Sequence, residues 1–321
     1  MRHLLNKLIL VGGLLATTVA QAAYPDKQIN LVVPFGAGGG TDVLGRLVAD
    51  RLGRSLGVTV VVLNKPGAGG TIGTDFVAKA KPDGYTLLMG TNATLALAPG
   101  LYRNLPYDPV KDLTPVAPIA SGPSILVVNP SIPATDVPSL IAYIKKNPGK
   151  LNYGSAGNGS TAHVATALFN LEAGLDAVHI PFKGGGAAIQ ELVAGRLEYM
   201  MAGPVESTPL IHAGRLRALA VTSPERFPGQ PDLPTIAQAG LPGYEMLNWF
   251  GVFGPDRLPE EVTRALAPVL KKMVDDPGVR DALLKQGLQP SVSTPQEYRE
   301  FVRGEVERWT KRIRQMNISI N

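Results

Sequence analysis

The chain has 321 residues, of which 45% are hydrophobic and 18% charged, contains no cysteine, and carries a formal net charge of +5. The absence of cysteine excludes disulfides, thiolate metal sites and cysteine nucleophiles, and so mild a charge gives no argument for a nucleic-acid partner. The length exceeds one compact core, so two lobes or one large α/β domain are expected, and 36 Gly with 28 Pro point to many turns.

Residues 1–22 read as a Sec-type signal peptide. Arg2 and Lys7 precede an apolar run from Leu8 to Ala16, which gives way to Ala20-Gln21-Ala22, an A-x-A cleavage pattern with the cut after Ala22 or Ala23. Without Arg2 and Lys7 the chain keeps 29 basic against 26 acidic residues, a net charge of +3. The remainder contains no second run long enough to span a bilayer, so the mature protein is expected to be soluble and periplasmic.

The chain then reads as alternating elements. "KQINLVV" has the continuous apolar character of a buried strand, followed by the glycine loop "GAGGGT" and a helix, "DVLGRLVADRLGRSL". "VTVVVLN", the loop "KPGAGGTIG", the helix "TDFVAKAK" and the strand "GYTLLMGT" repeat this order. Such alternation predicts parallel βαβ units whose strand-to-helix loops share one sheet edge, where ligands bind. The proline-punctuated stretch from Leu101 to Pro133 predicts a crossing into a second lobe. There "KLNYGS", "AGNGS" and "TAHVATALFNLEAG" give strand, loop and helix again, as does "AVHIPFKGGGAAIQELVAGRLEYMMAG", before a last strand, "RLRALAVT". Near the C-terminus Thr294, Pro295 and Glu297 form a capping box ahead of a helix. That helix carries Tyr298, Phe301, Val302, Val306 and Trp309 on one face, a stripe expected to pack against the first lobe.

The glycine loops limit the chemistry. A P-loop needs Lys followed by Ser or Thr, but Thr41-Asp42 stands there, and G-x-G-x-x-G fails at Thr41 and again at Ile72. Ser155 lacks the nucleophile-elbow glycine, having Tyr153 in its place. The histidines of the mature chain, His163, His179 and His212, form no metal-ligand spacing, so neither a metal nor a cofactor is expected. His163, in the first turn of its helix, is either a ligand contact or a helix-end hydrogen-bonding group. What remains is anion binding without catalysis. Unpaired N–H groups at helix N-termini can hold a carboxylate, aided by the hydroxyls of Thr41, Ser155, Ser160 and Thr161, and neither loop contains Arg or Lys.

The segments "AYPDKQINLVVPFGAGGGTD", "NKPGAGGTIGTDFVAKAKPDGYTLLMGT", "YGSAGNGSTAHVA", "HIPFKGGGAAIQELVAGRLEYMM" and "GRLRALAVTSPERFPGQPDLPTIAQAGLPGYEMLNWFGVFGP" occur in an order that resembles the Bug family, the solute-binding receptors of tripartite tricarboxylate transporters. The resemblance implies an α/β type II periplasmic-binding-protein fold. Its two Rossmann-like lobes, residues 24–121 with 245–321 and residues 122–244, would hinge around a small organic carboxylate. It also implies that the ligand is held by Phe35, Gly36, Ala37, Gly38, Gly39 and Thr41 of the first loop and by Gly154, Ser155, Ala156 and Gly157 of the second. Asp42 is expected to cap the first helix. Thr161 and His163 follow the second loop, and Asn64, Thr91, Asn92, Lys183, Gly184, Trp249 and Phe250 are candidate distal partners beside strand ends. Where the family frequently has an acid or amide after "RLEYMM", Ala202-Gly203-Pro204 stands here, which suggests a smaller, less polar wall and a ligand bulkier or less amine-bearing than aspartate.

The implied partners are the membrane subunits of a tripartite tricarboxylate transporter, with a monomer as the default state. A role as the ligand-binding partner of a carboxylate-sensing two-component system is the alternative. An exported hydrolase using Asp42, His163 and Ser155 is a remote one.

Overall fold

The computed structural model describes residues 24–316 and 318–320; the signal-peptide reading falls outside them. The first half of the chain contains β1 (Ile29–Val33), α1 (Gly40–Leu56), β2 (Val60–Asn64), α2 (Thr71–Ala78), β3 (Thr86–Thr91), α3 (Ala98–Leu101), β4 (Leu113–Pro123), β5 (Ile125–Val128) and α4 (Val137–Lys145). It continues with β6 (Asn152–Ser155), α5 (Thr161–Ala173), β7 (Val178–Pro181), α6 (Gly185–Val193), β8 (Tyr199–Ala202), α7 (Pro204–His212), β9 (Arg217–Val221), β10 (Leu247–Pro255), α8 (Glu260–Asp275), α9 (Pro277–Lys285), β11 (Gln289–Pro290) and α10 (Pro295–Gln315).

These strands form two sheets. One has the order β11-β4-β10-β3-β1-β2 and the other β7-β6-β8-β5-β9. The expected parallel pairing holds for β1 with β2 and β3 and for β6 with β7 and β8. The strands at the crossings run against it: β10 is antiparallel to β3 and β4, and β5 to β8 and β9. Both sheets are therefore mixed, with the expected parallel βαβ pairing among β1, β2 and β3 and among β6, β7 and β8. The chain leaves the first sheet at Pro123, enters the second at Ile125, and returns between Val221 and Leu247. The proline-rich stretch thus carries two strands, β4 and β5, between irregular segments. Pro115, Pro118 and Pro123 lie within β4, whose pairing with β10 shifts register after Phe250 and after Val252, as expected where a residue without an N–H interrupts a ladder.

Both faces of the first sheet are covered. Leu31, Val33, Leu44, Val48 and Leu52 join Val262, Leu266 and Leu270 of α8 on one side. On the other, Val32, Leu88 and Phe253 meet Tyr298, Val302, Trp309 and Ile313 of α10. The helix α10 starts with the expected reciprocal cap: Thr294 Oγ1 accepts from the Glu297 N–H while Glu297 Oε2 accepts from the Thr294 N–H. Of its stripe Tyr298, Val302 and Trp309 are buried, whereas Phe301 is exposed. No helix among the described residues is long and apolar enough to cross a membrane.

Candidate functional site

Four helix N-termini point into one space between the sheets. A cavity of about 80 Å³ is walled by Gly39, Gly40 and Thr41 of α1, Ser160, Thr161 and Ala162 of α5, Gly185 of α6, and Gly203, Pro204, Val205 and Glu206 of α7. Thr91, Asn92, Ser124 and Asn248 add polar groups, and Phe35, Ala156, Met201, Phe250 and Leu288 the apolar surface. No Lys or Arg lies in this wall. Each helix start leaves N–H groups without intrahelical partners at the positive end of a dipole worth about half a charge, so the convergence can favour negative charge without a basic side chain.

The sheets are stitched together around the cavity. The Gly36 N–H donates to the Lys183 carbonyl at 3.1 Å, the Thr161 hydroxyl to Asn92 Oδ1 at 2.8 Å, and the Gly40 N–H to Glu206 Oε2 at 3.1 Å. Asn92 in turn donates to the Leu247 carbonyl. The first of these contacts needs glycine, because a Cβ at Gly36 would stand 2.5 Å from the Lys183 carbonyl oxygen.

Of the sequence-derived candidates, Phe35, Gly39, Thr41, Thr91, Asn92, Ala156, Thr161 and Phe250 stand in the cavity wall. Others surround it in supporting positions. Gly36 and Lys183 meet through their backbones, with Gly184 packed on Gly36; Lys183 itself borders an adjoining hollow that shares Phe35 and Ala156 with the cavity. Ala37 belongs to the turn before α1, and the Gly38 N–H donates to Asp42 Oδ2. Gly154 packs against Leu197, and Gly157 donates its N–H to the Ser155 hydroxyl oxygen.

Several expectations are corrected. Asp42 is not the cap of α1, whose N-cap is Gly39 without a side-chain bond; it braces the loop, accepting from Gly38, Arg46 and Asn64. Burial works against its charge, but those three bonds outweigh burial and hold the carboxyl below its usual range. Asn64 is correspondingly structural, donating to Asp42 and to the Phe35 carbonyl. Trp249 faces away from the cavity, since neighbouring strand residues alternate in direction: its indole N–H donates to Glu305 and its ring packs on Tyr298 and Phe301. His163 accepts the Gly159 N–H and stacks on His179 with ring centroids 4.1 Å apart. His179 Nε2 and the Ser155 hydroxyl share a hydrogen bond of 2.6 Å. Burial pushes His163 down to about 4, and burial with the neighbouring His163 pushes His179 down to about 3. Ser155 and Ser160 thus have internal partners, Ser160 capping α5. The trio of Asp42, His163 and Ser155 does not assemble.

The expected less polar wall after β8 is also overturned. Gly203 and Pro204 begin α7 and bring Glu206 into the cavity, with its carboxylate against Gly40, Gly185 and Gly203. Burial pushes this carboxyl up to about 7, against backbone N–H groups of α7 and Gly40 that favour the charge. A usable signal existed: Gly203-Pro204-Val205-Glu206 has the same proline and glutamate positions as Thr294-Pro295-Gln296-Glu297.

Comparisons with known proteins place this geometry. The family described as tripartite tricarboxylate transporter family receptor matches residues 44–318. Protein BugT of Bordetella pertussis is 36% identical over 97% of this chain and 98% of its own length. Among solved structures, R. palustris Rpa4515 with adipate is 38% identical with a TM-score of 0.87, covering 91% of this chain and 98% of that one. MatC (Rpa3494) from Rhodopseudomonas palustris with bound malate is 33% identical with a TM-score of 0.87, covering 90% of this chain and 100% of that one.

Proposed function

We infer the role of this protein from its kinship and its cavity: the chain belongs to the tripartite tricarboxylate transporter receptor family, with Bug-named proteins among its relatives and the periplasmic-binding-protein fold they share. It is a solute-binding receptor for a small organic carboxylate, which it captures between its lobes in the periplasm and delivers to the membrane subunits of a tripartite tricarboxylate transporter. The observation that carries this reading is the convergence of four helix N-termini on one cavity between the sheets that has no basic side chain.

The roles follow from the geometry. The first-turn N–H groups of α1 and α5, around Thr41 and Ala162, hold the carboxylate. Thr91, Asn92 and Asn248 contact the rest of the molecule, while Phe35, Phe250 and Met201 give it apolar cover. Four or five charge-assisted hydrogen bonds at ~1.5–3 kcal/mol each, with some apolar burial, suffice against an association cost of ~4–15 kcal/mol. The relatives solved with adipate and malate support a carboxylate ligand.

Thermal unfolding tests the reading. Protein comprising residues 24–321, refolded from denaturant to strip any carried ligand, is heated with a panel of mono-, di- and tricarboxylates that includes adipate, malate and aromatic acids. At ~100 times the Kd, a ligand specific to the native state adds about 2.7 kcal/mol, a rise of several degrees in Tm. A rise with at least one member is expected; none across the panel would contradict the assignment.

A further inference from the structure

The group in the cavity without a counter-ion is Glu206. Its Oε2 accepts the Gly40 N–H at 3.1 Å, at the start of α1, where the reading above places ligand charge. Glycines at 185 and 203 leave room for this carboxylate: a Cβ at Gly203 would stand 2.9 Å from Oε2, and one at Gly185 would collide with Oε1. One carboxylate of the chain thus already joins the N-termini of α1, α6 and α7, and a ligand anion entering the same cavity becomes its close neighbour.

Two carboxylates in hydrogen-bond range cannot both stay ionised without strong repulsion. We propose that Glu206 is a specificity-determining residue of the carboxylate site, admitting the ligand anion together with one proton. That proton comes from solvent, bonds to a carboxyl oxygen of Glu206 and is donated in a hydrogen bond to the ligand carboxylate, so that protein, anion and proton combine one to one to one. This rests on the carboxylate-receptor reading.

The surroundings leave the proton to Glu206. On α1, Asp42 is engaged by Gly38, Arg46 and Asn64, and Arg46 is paired with Asp42. On α5, His163 faces His179. Lys183, ahead of α6, forms no ion pair with it, and α7 carries no other ionisable group before His212 at its last position. At the cavity, β10 contributes Asn248 and Phe250 and the turn before β11 contributes Leu288, none of them ionisable. Burial has already raised the Glu206 carboxyl to about 7, and the adjoining ligand anion has to raise it by roughly two further units for the complex to hold the proton across the range to pH 8.5.

Calorimetric titration of residues 24–321 with adipate and with malate, from pH 6 to pH 8.5 and in two buffers of different ionisation enthalpy, tests this. For wild type, Kd is expected to rise about tenfold per pH unit above pH 7, with close to one proton taken up there. Glu206→Gln, which keeps the acceptor for Gly40 and mimics the protonated acid, is expected to bind with a pH-independent Kd near the wild-type value at pH 6 and with no proton uptake. A flat wild-type profile, or the same slope and uptake in Glu206→Gln, would overturn the proposal while leaving the receptor reading intact. Failure of both acids to bind either protein at any pH would overturn the proposal together with the choice of these acids as cargo, and failure of the whole carboxylate panel would overturn the receptor reading itself.

Discussion

Glu206 and the histidine pair give the residue scale its clearest consequences, because each is held in the folded state away from its ordinary titration range. The Glu206 carboxyl is raised from 4.5 to about 7, so between these values the folded chain binds more protons than the unfolded one. Stability conferred by this group is present below pH 4.5 and is lost as pH rises to 7. Glu206→Gln is therefore expected to gain roughly 1–3 kcal/mol relative to wild type on going from pH 5 to pH 8, read from urea unfolding of the ligand-free protein. A difference that does not change with pH would contradict it. His163 and His179 work the other way. Lowered from 6.5 to about 4 and about 3, they are neutral in the fold, and the unfolded chain takes up protons first as pH falls below 6.5. Tm is expected to fall between pH 6.5 and 5, and the double substitution His163→Gln, His179→Gln to flatten that slope. An unchanged slope would show that other groups cause the loss. At this scale the sequence was only partly readable. Asp42 was visible beside the loop, but whether it caps a helix or braces a turn depends on Asn64, 22 positions away. Trp249 and Phe250 could not be told apart until β10 had its neighbours, since one residue of register exchanges the faces of a strand.

At the scale of elements, features specified within a few residues were legible and those needing a distant partner were not. The Thr294–Glu297 capping box and the glycine loops after β1 and β6 are local and stand where their sequences put them. The helix α7 was missed because Pro204 and Pro209 obscure its apolar spacing, and with it went Glu206. The antiparallel course of β10 is likewise a choice of partner that no local pattern records. Two substitutions test the elements separately. Gly36→Ala places a methyl against the Lys183 carbonyl, a contact between the two sheets and internal to neither. It is expected to weaken carboxylate binding at least tenfold while shifting the ligand-free Tm by no more than a few degrees, and unimpaired binding would show that this approach is dispensable. Trp309 is 1% exposed in the core under α10, flanked by Arg308 and Arg312 over its ring. Trp309→Ala is expected to cost ~3–5 kcal/mol in urea unfolding. A loss below about 1 kcal/mol would mean that α10 is not integral to the first core.

For the whole molecule, the decisive property is that two sheets joined by a few extended crossings bring four helix starts to one place. Neither half holds the site alone: α1 comes from the first sheet's side and α5, α6 and α7 from the second's, and their hydrogen bonds meet across the cavity. A ligand touching both sides would favour, by its differential contacts, the arrangement in which both reach it. This organisation was foreseeable from the repeated strand-loop-helix order, whereas the identity of the cargo was not. Backbone N–H groups register charge and position and carry little information about the remainder of a ligand. The most direct test of an anion cradle is a calorimetric comparison, at pH 6, of the best-binding carboxylate from the thermal panel with its neutral carboxamide. If the helix termini hold the ligand by its charge, the carboxamide binds at least about a hundredfold more weakly. Equal affinities for the two would contradict the central claim.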